Sequence, residues 1–164
     1  MTRVDDVPVR LSVLDRLLDD RPSVVSEPPM SRDASIRAMR AAICRDLEWL
    51  FNARRVHEPD QQHFRQAAAS GLRFGLPDTS AMTADSPETR RIMARHLADV
   101  IAAFEPRLTQ VQIAPLTPLD PYSRDLHFHV QALLHTDPEP LHVTFDARME
   151  SGTGRCHVAG FSNA

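Results

Sequence analysis

The run Phe104-Glu105-Pro106-Arg107-Leu108 sets a carboxylate, a proline and a guanidinium side by side. Proline removes a backbone donor and clashes with the turn before it, so a helix arriving here ends at Glu105. Glu105 is then at a helix C-terminus, where the macrodipole disfavours negative charge. A carboxylate in that position, flanked by Phe104 and Leu108, needs a cationic partner. Arg107 is the nearest in sequence, and Arg45 or Arg54 could reach it through the fold. Two readings follow. One is a structural ion pair joining a helix to a sheet. The other is a catalytic acid, as in a glycosidase, which needs a second carboxylate about 5–9.5 Å away. Glu48 and Asp46 are the candidates for that second group.

The histidines raise a second kind of chemistry. In LHFHVQALL (126–134) and VTFDARM (143–149), a hairpin register with Leu134 opposite Leu141 puts His129 against Asp146 and His127 against Arg148. His127, His129 and Asp146 would form a three-ligand facial site of the zinc or iron kind. Arg148 beside them opposes a cation, and an exposed polar strand face explains the same pattern without metal. No site metal and no cofactor is therefore expected. Nucleophilic catalysis has little footing, because Cys44 and Cys156 lie in no motif and no GxSxG elbow occurs. GTGRC lacks the lysine and the following helix of a phosphate-binding loop. Trp49 and Phe51 read as packing residues.

These groups must be positioned by helices first and strands after. Residues 9–20 carry Val9, Val13, Leu14, Leu17 and Leu18 on one stripe, a helix of about three turns that is too short to stand alone. A proline-containing linker follows. Ile36, Met39, Ile43, Leu47, Leu50 and Phe51 then recur at spacings of three and four, which predicts a long helix from Ser31 or Asp33 to about Arg54. A third helix is expected from Pro59 through Phe64, Ala68 and Leu72, ending near Gly71 or Gly75. Ser86, Pro87 and Glu88 make a capped start for a fourth, with Ile92, Met93, Leu97, Val100, Ile101 and Phe104 inward.

Beyond Pro106 the period becomes two. Leu126, Phe128, Val130, Ala132 and Leu134 alternate with polar neighbours, as do Leu141, Val143, Phe145, Ala147 and Met149. HTDPEP between them is a turn, and the chosen register pairs apolar with apolar along one face. Residues 107–114 give a further strand, and the tail from Ser151 holds either a last short strand or loose chain. The class is α+β, with about four helices followed by an antiparallel sheet of three to four strands. Three segments result: 1–30 as helix and linker, 31–150 as the domain, and 151–164 as a tail.

Composition narrows the function classes. The chain has 164 residues and a formal charge of −3 from 19 basic and 22 acidic groups, too weak a positive field to hold nucleic acid. All the basic residues are arginine. Two cysteines far apart fit a reducing compartment, no secretory leader is visible, and no stretch approaches a membrane span. A cytoplasmic protein is expected.

Four segments in order, SVLDRLLDD near the N-terminus, RDLEWLFNARR at 45–55, FGLPD at 74–78 and FEPRL at 104–108, followed by the two hairpin strands, resemble one family. It is the TssE subunits of type VI secretion baseplates, related to the wedge protein of contractile phage tails, a group with a lysozyme-like superfamily name. Leu50-Phe51-Asn52 stands where the family usually reads LLN, and Phe74 where it often has Tyr. The tail from Ser151 has no counterpart.

The resemblance implies a structural wedge component and not an enzyme. In the family this subunit meets other wedge proteins (TssF, TssG, TssK) and presents its sheet to the sheath proteins (TssB, TssC), near the central spike and tube. It sits in the bacterial cytoplasm at the inner membrane, without inserting. The assembly motif carried over comprises Glu105, Pro106 and Arg107 with Arg45, Asp46, Glu48 and Asn52, and the turn motif is Gly75, Leu76, Pro77 and Asp78. Partner contacts are expected at Leu14, Leu17 and Leu18 on the first helix. They are also expected at His142, Thr144 and Asp146 on the last hairpin strand, which the sequence leaves as an open edge guarded by two charges. The alternative is a peptidoglycan hydrolase using Glu105.

Overall fold

The structure, a computed structural model, describes residues 7–18, 22–23, 29–55, 66, 70–78, 86–116 and 123–163. Three α-helices are present among them: α1 (Val13–Leu17), α2 (Arg32–Asn52) and α3 (Pro87–Phe104). Four strands follow, β1 (Leu108–Leu116), β2 (Leu126–Leu134), β3 (Leu141–Met149) and β4 (Cys156–Asn163), paired antiparallel in the order β1-β2-β3-β4. The α+β class with helices first is as expected. The helix count is three where about four were expected, because most of the stretch read as a third helix lies outside the described residues. Where that helix was to end, the chain forms a 3-10 turn, Gly71–Arg73.

Helix starts follow the capping chemistry. Ser31 accepts from the Ala34 amide at the head of α2, and Ser86 accepts from Glu88 with Pro87 at the first helical position of α3. Helix α3 stops at Phe104, with the Glu105 amide on the Ile101 carbonyl at 2.8 Å. The stripe of α2 buries Met39, Ile43, Leu47, Leu50 and Phe51, with Ile36 only half-buried. Ser35 is buried beside it: its hydroxyl donates to the Arg32 carbonyl at 2.6 Å and accepts from the Val9 amide at 2.8 Å.

The hairpin register is the one the alternation requires. Leu134 faces Leu141, Val130 faces Phe145, His129 faces Asp146 and His127 faces Arg148. The inner side chains of β2 and β3 pack with those of α2 and α3 into one core, in which Phe128, Val130, Leu134, Val143 and Phe145 are almost wholly buried. Strand β1 follows Arg107 directly, and its pairing with β2 shifts between Thr109 and Gln112, where Gln110 takes φ 51°.

Two expectations are corrected. The first helix spans five residues, not three turns, because Ser12 starts it and Leu18 ends it; positions 19–20 lie outside the described residues. Strand β3 is not an edge, since the tail forms β4 and pairs along it from Met149↔Cys156 to Val143↔Asn163. The edges of the sheet are β1 and β4.

Candidate functional site

Of the residues that the resemblance carries over as an assembly motif, Glu105, Arg107, Arg45 and Asp46 meet at the junction where α3 passes into β1. Arg107 closes on Glu105 with both arms: Nε donates to Oε1 at 2.6 Å and Nη2 to Oε2 at 2.5 Å. The same Nη2 donates to Asp46 Oδ2 on α2 at 2.6 Å. Asp46 Oδ1 in turn accepts from Arg45 Nε and Nη2 at 3.1 and 2.8 Å. Arg45 Nη2 donates to Asp15 of α1 at 2.7 Å, and Arg107 Nη1 lies 3.8 Å from the other oxygen of Asp15. Three carboxylates and two guanidiniums thus form one chain linking α1, α2 and the α3–β1 joint. Glu105 and Asp15 are almost fully buried, at 5% and 7% side-chain exposure, which is tolerable for ions only because each is paired.

The electrostatics follow the geometry. The hydrogen bonds to Glu105 drive the Arg107 guanidinium above its ordinary range, and the Asp15 bond does the same for Arg45. For Asp15 burial pushes upward, but the Ser12 hydroxyl together with Arg45 and Arg107 outweighs it, and the carboxyl lies below its usual value. Arg107, rather than Arg45 or Arg54, is therefore the partner of Glu105. Arg54 pairs instead with Asp78 at 3.0 Å.

The other half of the α2 motif grips β4. Asn52 Oδ1 accepts from the Cys156 amide and Nδ2 donates to the Cys156 carbonyl, both at 2.9 Å, while Nδ2 also reaches the Glu48 carbonyl at 2.7 Å. Glu48 Oε1 accepts from the Val158 amide at 2.9 Å. These main-chain groups point away from β3, so two side chains of a helix stand where another strand's backbone would be.

The turn motif locks the end of α2. The Leu76 amide donates to the Ala53 carbonyl at 3.0 Å and the Arg55 amide to the Leu76 carbonyl at 2.9 Å, with Leu76 in the core. Gly75 has φ +98°, and a Cβ there would stand 2.3 Å from the Ala53 oxygen, so only glycine fits. Pro77 lines a cleft of about 270 Å³ between this turn and the β3–β4 connection. Its lining includes Arg54 and Arg155 but no carboxylate, histidine or cysteine.

The chemistry weighed for enzymes finds no assembled set among the described residues. Both oxygens of Glu105 face Arg107, Asp46 shares that guanidinium, and Glu48 serves β4. Among the described residues no group of three His, Cys, Asp or Glu is arranged to hold a metal, and Asp146 Oδ1 meets His129 Nδ1 at 2.7 Å. Burial pushes the Cys44 thiol up to about 11 and the Cys156 thiol to about 12, so neither is a thiolate near neutrality. No described helix is long and apolar enough to cross a membrane.

Leu14, Leu17 and Leu18 stand out from the surface, at 45%, 76% and 50% exposure. His142 and Asp146 are exposed on the sheet face away from the helices, while Thr144 between them is buried. Trp49, expected as packing, is 55% exposed and lies under Arg45, 5.1 Å from ring centroid to guanidinium. Sequence reasoning missed Ser12 and Asp15 as members of the network. Their S-x-x-D spacing is a capping pattern: Ser12 Oγ accepts from the Asp15 amide at 3.1 Å and donates to its carboxylate at 2.5 Å.

Comparison with known families returns a match over residues 37–139, more than half of the chain, to the family described as baseplate wedge protein gp25. Comparisons with curated proteins and with solved structures return no significant match.

Proposed function

Because the chain belongs to the baseplate wedge protein gp25 family, we propose that it is a structural wedge subunit of a type VI secretion baseplate that connects the baseplate to the sheath and templates sheath assembly. The observation that carries this reading is the ion-pair chain at the α3–β1 joint. All four charged motif residues in it (Arg45, Asp46, Glu105, Arg107) take part in fixing elements against one another, Arg45 through Asp15 of α1 and Asp46 through Arg107. Such an arrangement serves a part that must hold its shape under load.

The partners on this reading are the wedge proteins TssF, TssG and TssK, and the sheath proteins TssB and TssC, beside the spike and tube. The site of action is the cytoplasmic face of the inner membrane. Leu14, Leu17 and Leu18 supply an apolar contact for a wedge neighbour, and the sheet supplies the contact for the sheath. Strand β1 supplies an edge for a partner strand: its residues LTQVQIAPL carry no charge to blunt it, and the bulge at Gln110 and Pro115 leave the stretch between them to pair. At β4, by contrast, Asn52 and Glu48 already occupy edge groups. His142 and Asp146 would then meet the partner across the sheet face and not along an edge, with Thr144 buried between them.

The test is co-purification of the tagged full chain with the wedge and sheath proteins. Recovery of a wedge complex, lost on deleting residues 1–20, is the expected result. A folded chain that elutes alone from cells expressing every partner would refute the assembly role.

A further inference from the structure

We propose that α1 is an electrostatic latch: residues 12–18 are fastened to the domain by the Asp15 carboxylate between Arg45 and Arg107, and detach as a unit when that charge is removed. The segment is the one the assembly reading assigns to partner docking, and the latch rests on that reading only for its use.

Helix α1 has five residues and none of them is buried. An isolated helix of that length does not persist in water, so something outside it must keep it formed. Apolar packing is not that agent, because Val13 and Leu17 are 71% and 76% exposed. The next anchor upstream is the Val9 amide on Ser35, with Val9 and Leu11 against the core, and it precedes the Ser12 cap. Asp15 is the exception within the helix. Its side chain is 7% exposed, takes Arg45 Nη2 at 2.7 Å, and has Arg107 Nη1 at 3.8 Å.

The rest of the network does not need α1 in the same way. Arg107 keeps both Glu105 oxygens and Asp46, and Arg45 keeps Asp46 through two donors. Asp15 is thus the terminal member of a chain whose other members hold one another. Its loss releases α1 and leaves the α2–α3–β1 joint closed. The latch sets the exposed leucines in one orientation by charge alone, so a partner competing for Arg45 could free them.

Amide hydrogen exchange on the full chain tests this. The reporters are the Arg16 amide, bonded to the Ser12 carbonyl at 3.1 Å, and the Leu18 amide, bonded to the Leu14 carbonyl at 3.0 Å. In Asp15→Asn and in Arg45→Gln both amides should exchange about tenfold faster, with the core amides of α2, α3 and the sheet unchanged. In Leu17→Ala, which removes an exposed apolar group and no charge, they should keep their rates. The latch is overturned if Arg16 and Leu18 are unprotected in the native chain, or if neither charge variant accelerates them. It is equally overturned if core protection collapses along with them, since Asp15 would then hold the domain and not α1. Loss of partner binding with an intact latch would bear on the assembly reading alone.

Discussion

Helix α2 works with two different chemistries along its last two turns. Its Arg45–Asp46 portion meets the α3–β1 joint through ions, and its Glu48–Asn52 portion meets β4 mainly through hydrogen bonds to backbone. The centre of the ionic joint is buried, so Glu105 and Arg107 depend on each other: taking away Arg107 leaves Glu105 charged and unpaired in a poorly solvated place. The β4 grip replaces the missing neighbour of an edge strand, and losing it leaves neutral groups that water can partly satisfy. The first should therefore behave as all-or-none, and the second as graded.

The largest expected effect is at the ionic joint. Arg107→Ala leaves Glu105 buried without its cation and should cost about 3–5 kcal/mol in urea denaturation. Replacing both charges, as in Glu105→Leu with Arg107→Met, should cost less than the single change. A double variant as unstable as the single would break the distinction. Gly75→Ala comes next, at about 1–3 kcal/mol from the left-handed backbone alone, because its Cβ also drives into the Ala53 carbonyl. Asn52→Ala should cost about 1–3 kcal/mol by leaving the Cys156 amide and carbonyl without partners. Faster exchange at the β4 amides, with α3 unaffected, would mark the effect as local. The smallest is Asp125→Asn. It removes the pair with Arg148, whose side chain is 58% exposed, and should shift stability by about 0.2–1 kcal/mol, less at high salt.

Acidity separates the regions as well. Asp15 and Asp125 both lie below the ordinary carboxyl value of 3.8 in the folded chain, Asp125 chiefly through its bond to Arg148. A depressed folded value means that the stabilisation is full above the unfolded value and is lost as pH falls through the folded one. Thermal melts should therefore show stability falling below about pH 4, with a flatter dependence in Asp15→Asn.

Much of this was legible in the residues. The β2–β3 register follows from alternation alone, since a slip of β3 by one residue would turn Val143, Phe145 and Ala147 to water. The end of α3 followed from Pro106, and the need of Glu105 for a cation followed from the helix dipole. The choice of Arg107 over Arg45 or Arg54 was not decided, because sequence spacing does not say which guanidinium folds back. Strand β4 was open for a related reason. Its inward residues Cys156 and Val158 are few, and its place depends on Asn52 and Glu48, more than a hundred residues away. Trp49 departs from expectation because a large aromatic near a buried stripe ordinarily packs, whereas here it stays exposed beneath an arginine. Asp15 is hard to single out in a helix dominated by leucines, although its spacing from Ser12 is that of a cap and its partner.

The most direct test of the account is sheath formation in cells whose native copy is replaced by the folded Glu105→Leu, Arg107→Met double variant. Under the proposed assembly role this chain remains soluble and folded yet supports no extended sheath. Normal sheaths with that variant would contradict the claim that the junction is the assembly element.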